Sequence, residues 1–227
     1  MKELLTLLYG VGEVLAEKLY QKLLKLGLVN PTKSYTEAEM RALLKNSSLF
    51  SELPQATRAD LIYNPDKSIP RIIMNYLNSE LTSKFPVVIA GSYRRGKPVS
   101  RDADILLPYI VEFAALQREY SGKSDVIIHE PFASGSSKIS VMISISSKRI
   151  TLKADIFLVP KNEWIYALLY ATGSGHFNLL MRAQAKRKGF LLNQRGLWKN
   201  GKQVEIKNEQ EIFKILGMKW KKPEERN

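Results

Sequence analysis

Asp102 and Asp104 are one residue apart in Arg101-Asp102-Ala103-Asp104-Ile105-Leu106-Leu107. The apolar run that follows makes this the start of a strand, on which residues two apart leave the same face. Two carboxylates so close repel each other unless a cation lies between them. Oxygen ligands of this kind suit Mg²⁺, which keeps waters and binds substrate phosphates beside one or two carboxylates; Mn²⁺ is the alternative ion. A third carboxylate, Asp155, interrupts the apolar strand around Ala154-Asp155-Ile156-Phe157-Leu158, where it is costly unless paired or metal-bound. If these strands are neighbours, three carboxylates converge. Two divalent ions need that arrangement, one lowering the pKa of an attacking hydroxyl and the other neutralising a leaving pyrophosphate. Upstream, Gly91-Ser92-Tyr93-Arg94-Arg95-Gly96 follows a buried apolar run and is expected to open a helix whose free N–H groups favour a phosphate. A lone Asp-x-Asp reads as surface turn acidics; the flanking Gly-Ser-x-x-Arg and the strand aspartate favour chemistry.

The elements that must position these residues are legible in outline. To about residue 65 the chain reads as helical, with Leu and Val at helical spacing on both sides of Gly10-Val11-Gly12 and a capping-box pattern at Thr36 and Glu39. Asn64-Pro65-Asp66 breaks the chain, and a helix is expected from Ile69-Pro70 to about Ser83. Strands are predicted over 87–90, 104–107, 139–146 and 150–159, the third from strict alternation of Ile139, Val141, Ile143 and Ile145 with polar residues and Met142. A helix is predicted from 162 to about 188, then hairpin signals at Asn193, Gly196 and Asn200-Gly201, and a last helix over 208–216. No repeats or low-complexity linkers interrupt this plan.

Composition narrows the chemistry. The 227 residues carry 35 Lys+Arg against 22 Asp+Glu, a net charge of +13. The stretch Arg182–Arg226 holds 13 basic and 5 acidic residues, a net of +8. Such a basic end fits a polyanion, nucleic acid first, because its backbone rewards clustered cations through counterion release. There are no cysteines and only two distant histidines, His129 and His176, which excludes disulfides, thiolate chemistry and a zinc site. No apolar run is long enough to span a bilayer, and the first residues do not form a signal peptide. The expectation is a soluble, intracellular protein.

Gly-Ser-Tyr-Arg-Arg-Gly followed by Asp-Ala-Asp-Ile-Leu-Leu resembles the signature of the family X DNA polymerases, and the likeness continues through Asp155–Lys161, Leu169–Ser174, Asn178, Met181-Arg182 and Gly189-Phe190. It covers nearly everything from about Ile69 onward. That resemblance implies an α+β fold: a helical, fingers-like DNA-binding domain with a helix-hairpin-helix (1–68), a nucleotidyltransferase palm with a mixed β-sheet (69–160), and a small helical and hairpin thumb-like domain (161–227). It implies that Asp102, Asp104 and Asp155 are catalytic and hold two divalent ions. Gly91, Ser92 and Arg95 would hold the phosphates of the incoming deoxynucleotide, Tyr170 and Gly173 would lie against its sugar, and Asn178 and Arg182 would reach the minor-groove edges of nascent and template bases. Gly10 and Gly12 would bring backbone N–H groups to a DNA phosphate, while the carbonyls of Thr6, Leu8 and Val11 would hold Na⁺ or K⁺. The implied activity is templated addition of deoxynucleotides to a primer 3′-hydroxyl, in short-gap repair, by a monomer acting on primer–template or gapped DNA with no membrane partner.

Several departures accompany this likeness. Arg101 stands where the family has a small residue, often Gly. Lys153 stands where polymerase beta, a member of that family, has Arg, and bidentate clamping is lost with it. Ala171 and Gly175 replace Phe and Asp, opening the nucleotide pocket and implying looser control of base-pair fit. No N-terminal lyase segment precedes the helix-hairpin-helix, so lyase activity is not expected; short viral members share that layout, and nuclear and cytoplasmic settings stay open. Three other functions compete. Template-independent transfer is separated by extension on untemplated primers. A nucleotide-adding RNA enzyme is disfavoured by the Tyr170–Arg182 segment and the helix-hairpin-helix. A non-catalytic DNA-binding protein is disfavoured by the presence of all three aspartates. His129, Trp164, Trp198 and Trp220 read most simply as packing residues, and His176 has no assigned role.

Overall fold

The computed structural model describes residues 2–121 and 124–226. Contacts divide the chain into two units, Met1–Pro65 and Asp66–Asn227. The first is helical: α1 (Lys2–Thr6), α2 (Glu13–Lys25), α3 (Glu37–Asn46) and α4 (Gln55–Tyr63) enclose a core of Leu5, Leu8, Leu19, Leu23, Met40 and Leu44. α3 opens with the capping box its sequence announces: Thr36 accepts from the Glu39 backbone and Glu39 accepts from the Thr36 backbone. Between α1 and α2 the chain turns through Gly10 at φ +79°, in the left-handed region that favours glycine. α4 props this turn, because the Thr57 hydroxyl donates to the Tyr9 carbonyl at 2.8 Å. Asp60 in α4 is fully buried, and Arg41 supplies its counter-charge at 3.0 Å.

The second unit is built on a mixed sheet. Ile69-Pro70 does not start the helix but forms β1, paired with β3 (Val99–Ser100); α5 (Arg71–Lys84) follows directly. The main sheet comprises β2 (Val88–Ile89), β4 (Ala103–Pro108), β5 (Val126–Ile128), β6 (Ala133–Ser134), β7 (Lys138–Ile145) and β8 (Ile150–Val159). Its order is β2-β4-β8-β7-β5, with β6 also on β7. Every pairing is antiparallel except β4 with β8. Strand alternation sorts the faces. Ile105, Leu107, Ala154, Ile156, Val141 and Ile143 turn to one side and bury against Met74, Leu77 and Leu81 of α5 and Leu116 of α7 (Phe113–Glu119). Asp104, Leu106, Lys153, Asp155, Ser140 and Met142 turn to the other.

That second face is only partly roofed. Helix α6 (Gly91–Arg94) sits between β2 and β3, and α8 (Trp164–Thr172) packs Ala167 and Leu168 over Leu106 and Val159. The helix expected over 162–188 is two helices, α8 and α9 (Gly175–Arg187). Gly173 at φ +68° ends the first, and the Ser174 hydroxyl caps the second by accepting from the Phe177 N–H at 3.2 Å. Apolar periodicity runs unbroken through the segment, so only the Gly-Ser pair marks the break. A three-stranded meander, β9 (Leu191–Asn193), β10 (Gly196–Lys199) and β11 (Lys202–Gln203), precedes α10 (Glu209–Leu216). These pack around Phe177, Met181, Leu197, Ile212 and Phe213. No described helix is long and apolar enough to cross a membrane.

Candidate active site

The single parallel pairing sets the site. β4 and β8 run side by side in a register that places Asp104 opposite Asp155, and β7 places Ser140 beside Asp155 from the other flank. Asp102, two residues before Asp104, leaves the same face. The three carboxylates therefore share one side of the sheet, opposite the apolar core. Burial first, then the charges of Asp102 and Asp155, push the Asp104 carboxyl up to about 7. Asp155 behaves oppositely. Burial works against its ionisation, but the Ser140 hydroxyl, donating at 2.6 Å, and the Lys153 and Lys138 ammoniums outweigh it and hold the carboxyl below its ordinary range.

Cationic charge already fills this space. Lys138 and Lys153 lie 3.1 and 3.2 Å from Asp155, and Lys153 is 3.8 Å from Asp102. No group of three His, Cys, Asp or Glu among the described residues stands in metal-holding geometry. The donor chemistry nevertheless fits divalent ions: hard carboxylate oxygens from neighbouring side chains, with the Asp104 carboxyl pushed up by burial and by the charges of Asp102 and Asp155, which a cation between them would relieve. Coordination requires the two lysines to swing off Asp155, which long flexible side chains permit.

Gly91 backs Asp104 closely. A Cβ built on Gly91 falls 2.1 Å from Asp104 Oδ2 and 3.0 Å from its Cγ, and the residue sits at φ +57°. Gly91→Ala is accordingly expected to cost about 2–4 kcal/mol of stability through overpacking and left-handed strain. Urea denaturation checks this, and a loss below about 0.5 kcal/mol, the scale of an ordinary surface change, would contradict the close packing. Ser92 donates to Ser100 Oγ at 2.9 Å, tying α6 to β3. Arg95 donates through Nη1 to the Thr172 carbonyl at 2.5 Å, while its Nε is buried without a partner.

Around these groups lies a cavity of about 1110 Å³. Gly91, Ser92, Arg95, Asp102 and Asp104 line it, and so do Tyr170, Gly173 and Asn178 from the α8–α9 turn. Asn178 is engaged within the fold, its side-chain amide donating to the Tyr170 carbonyl at 2.8 Å. Arg182 does not line this cavity; it borders a small adjoining pocket with Tyr170, Asn178 and Asn193. Ala171 and Gly175 line the main cavity with small side chains. Gly10, Gly12, Thr6, Leu8 and Val11 belong to the first unit, where Leu8 and Val11 are buried and the Leu8 carbonyl accepts from the Val11 N–H at 3.2 Å.

Sequence reasoning missed the network that holds the α8–α9 turn. Arg94 donates to Thr172 Oγ1 at 2.6 Å and reaches both oxygens of Glu209, at 3.1 and 2.7 Å. The fully buried Arg226 donates to Glu209 at 2.8 Å, lies against the rings of Phe177, Phe213 and Trp220, and accepts from the Ser174 N–H through its carbonyl at 3.0 Å. Nothing in the local pattern of Glu209 or Arg226 announces this. Ser140 was detectable, since its alternation puts it on the face of Asp155. Gln194, Arg195 and Lys67 also border the cavity, from segments with no motif of their own.

A family model described as DNA polymerase beta thumb matches residues 167–227. The chain is 26% identical over 248 residues to DNA polymerase lambda of Rattus norvegicus, across 99% of this chain and 42% of that protein. It is 29% identical over 167 residues to Repair DNA polymerase X of African swine fever virus, across 68% of this chain and 94% of that protein. The crystal structure of Leishmania infantum polymerase beta in a ternary P/T complex superposes with a TM-score of 0.67 at 24% identity, across 98% of this chain and 96% of that one. That likeness establishes a shared fold. The chain spans less than half the length of the lambda polymerases it matches.

Proposed function

Since this chain belongs to the family X DNA polymerases, we propose that it adds deoxynucleotides to a primer 3′-hydroxyl opposite a template, with short gaps in DNA as its setting. The supporting observation is the side-by-side pairing of Asp104 and Asp155, beside a cavity large enough for a nucleotide that Asp102 and Asp104 line. In this reading Asp102 and Asp104 hold the nucleotide's divalent ion, and all three aspartates hold the catalytic one, Mg²⁺ or Mn²⁺. Bound there, divalent cations supply an acidified attacking hydroxyl and charge neutralisation of the departing pyrophosphate.

The chain's own groups do the rest. Gly91, Ser92 and Arg95 bind the β- and γ-phosphates, for which Arg95 exchanges the Thr172 carbonyl for phosphate oxygens. Its buried, unpartnered Nε supports a ligand in that position. Tyr170 and Gly173 face the sugar. Asn178 and Arg182 meet the minor-groove acceptors that every Watson–Crick pair presents, so pair shape is checked without reading sequence. The Gly10–Gly12 turn offers N–H groups to a DNA phosphate, and the Thr6, Leu8 and Val11 carbonyls a place for Na⁺ or K⁺. Primer extension on a one-nucleotide gap, each deoxynucleotide supplied separately, tests the reading. Template-matched addition that requires a divalent ion is expected, whereas no extension, or equal extension without a template, would overturn it.

A further inference from the structure

We propose that the β9–β10 hairpin carries a stacking site for one unpaired nucleotide of the template strand, with the Trp198 indole as its floor. The proposal rests on the reading of the chain as a DNA-copying enzyme and adds a second binding site, away from the carboxylates. A cavity of about 450 Å³ opens between the end of α9 and this hairpin, lined by Lys186, Phe190, Leu191, Trp198 and Asn200. Its volume lies in the range of about 300–1,000 Å³ that small ligands occupy. The sequence reads Trp198 as a packing residue; the strand register turns it outward instead. Leu192 and Leu197 are partners across β9 and β10 and enter the core, so the next pair, Leu191 and Trp198, faces away from it. Leu191 is 60% exposed. The indole lies across the Gly196 backbone. A Cβ built on Gly196 falls 2.8 Å from Trp198 Nε1 and 3.0 Å from Cε2, so any other residue there would lift the ring. The platform is set before a ligand arrives.

Charge identifies the occupant. The lining holds Lys186 and no acidic residue, and Lys199 stands beside it with its ammonium 4.8 Å from the Phe190 ring centre. Both lysines are exposed. Aromatic surface rimmed by ammonium groups suits a ligand with a flat face and a phosphate. Duplex DNA offers phosphates but keeps its base faces stacked on one another, whereas an unpaired nucleotide offers both. Placement indicates which nucleotide. Asn178, Arg182 and Lys186 recur every four residues along α9 and share one face of it. Arg182 is assigned above to the nascent pair, and Lys186 lies about 6 Å farther along the helix, about two nucleotide steps of 3.4 Å each. Template behind the nascent pair is already duplex, so the unpaired neighbour within that reach is the template nucleotide ahead of it. That nucleotide is unpaired in a gap of several nucleotides and paired in a gap of one. The site therefore confers a preference for longer gaps.

Fluorescence anisotropy on two gapped duplexes of the same flanking sequence, with gaps of one and five nucleotides, tests this. The wild-type chain is compared with Trp198→Ala, Trp198→Phe, Leu191→Glu and Lys186→Ala. Trp198→Ala is expected to raise the dissociation constant for the five-nucleotide gap about fivefold or more, the worth of one stacked base. The constant for the one-nucleotide gap should change by less than about twofold. Trp198→Phe should retain most of the affinity, because a ring remains. Leu191→Glu, at an exposed position, should weaken the same substrate by repelling its phosphate without disturbing the core. Lys186→Ala should make the salt dependence on the five-nucleotide gap shallower by about 0.7 in log–log slope, one phosphate contact. Unchanged binding of the five-nucleotide gap by either Trp198→Ala or Leu191→Glu overturns the proposal. An equal loss on both substrates also overturns it, and would assign this surface to duplex DNA. If the wild-type chain extends no primer, the polymerase reading fails by itself, and these binding measurements, which need no catalysis, still decide the role of Trp198.

Discussion

Asp155→Asn is expected to slow single-nucleotide gap filling by on the order of 10³-fold while DNA affinity changes by less than about twofold. The substitution keeps the side chain's shape and leaves an oxygen to accept from Ser140, now at 2.6 Å from Oδ1. What it removes is the negative charge that two lysines seek within 3.2 Å and that a divalent ion requires. Single-turnover extension and fluorescence anisotropy on the same gapped duplex separate the two effects. A variant that extends at near wild-type rate would remove Asp155 from the mechanism. Asp104→Asn should be equally inactive yet behave differently as a folded protein. The Asp104 carboxyl is raised from 3.8 to about 7, chiefly by burial. A raised carboxyl costs the folded state more as it ionises, so wild-type stability in chelator should fall as pH rises through that interval. Asn cannot ionise, so the variant should lack this decline and exceed the wild type in stability at pH 8. Thermal denaturation across pH 4–8 in chelator reads it, and parallel profiles would contradict the assigned strain.

Glu209→Ala is expected to lower the free energy of unfolding by about 3–5 kcal/mol, the usual cost of stripping one partner from a buried ion pair. Glu209 stands between Arg94 and the fully buried Arg226, and its loss leaves two guanidiniums facing each other with no counter-charge. Burial opposes ionisation of Glu209, but hydrogen bonds from Arg94 and Arg226 and their charges overcome it and hold the carboxyl below its ordinary 4.5. A depressed carboxylate lends stability above its unfolded pKa and loses it as pH falls through its folded value. The gap between wild type and variant should therefore be full at pH 7 and shrink in acid below about 4.5. Urea denaturation at both pH values measures it. A cost under about 1 kcal/mol, the scale of an exposed pair, would show that the network is ornamental. The same variant should weaken nucleotide binding, because Arg94 grips Thr172 and the Arg226 carbonyl holds Ser174 at the turn lining the cavity.

The extent to which the residues declared all this varied with the range of the forces involved. Strand alternation at Ile139–Ile145, the Thr36/Glu39 cap and the Asp-x-Asp pair are local, since each depends on residues a few positions apart; the amino-acid order alone determines them. It also determines that Asp102 and Asp104 leave one face, because strand periodicity demands it, and that the chain carries an excess of basic charge. The break at Gly173-Ser174 was present as a signal but hidden inside a continuous apolar pattern. The meeting of Asp104 with Asp155 is of another kind. Fifty residues separate them, and only the choice of β8 as the parallel neighbour of β4 brings them together. The capture of Asp155 by Lys138 and Lys153, the Gly91 backing of Asp104, and the Arg94–Glu209–Arg226 network likewise exist only once distant strands and helices share a core. Burial and long-range pairing set those charges, and neither is written in any short stretch of chain.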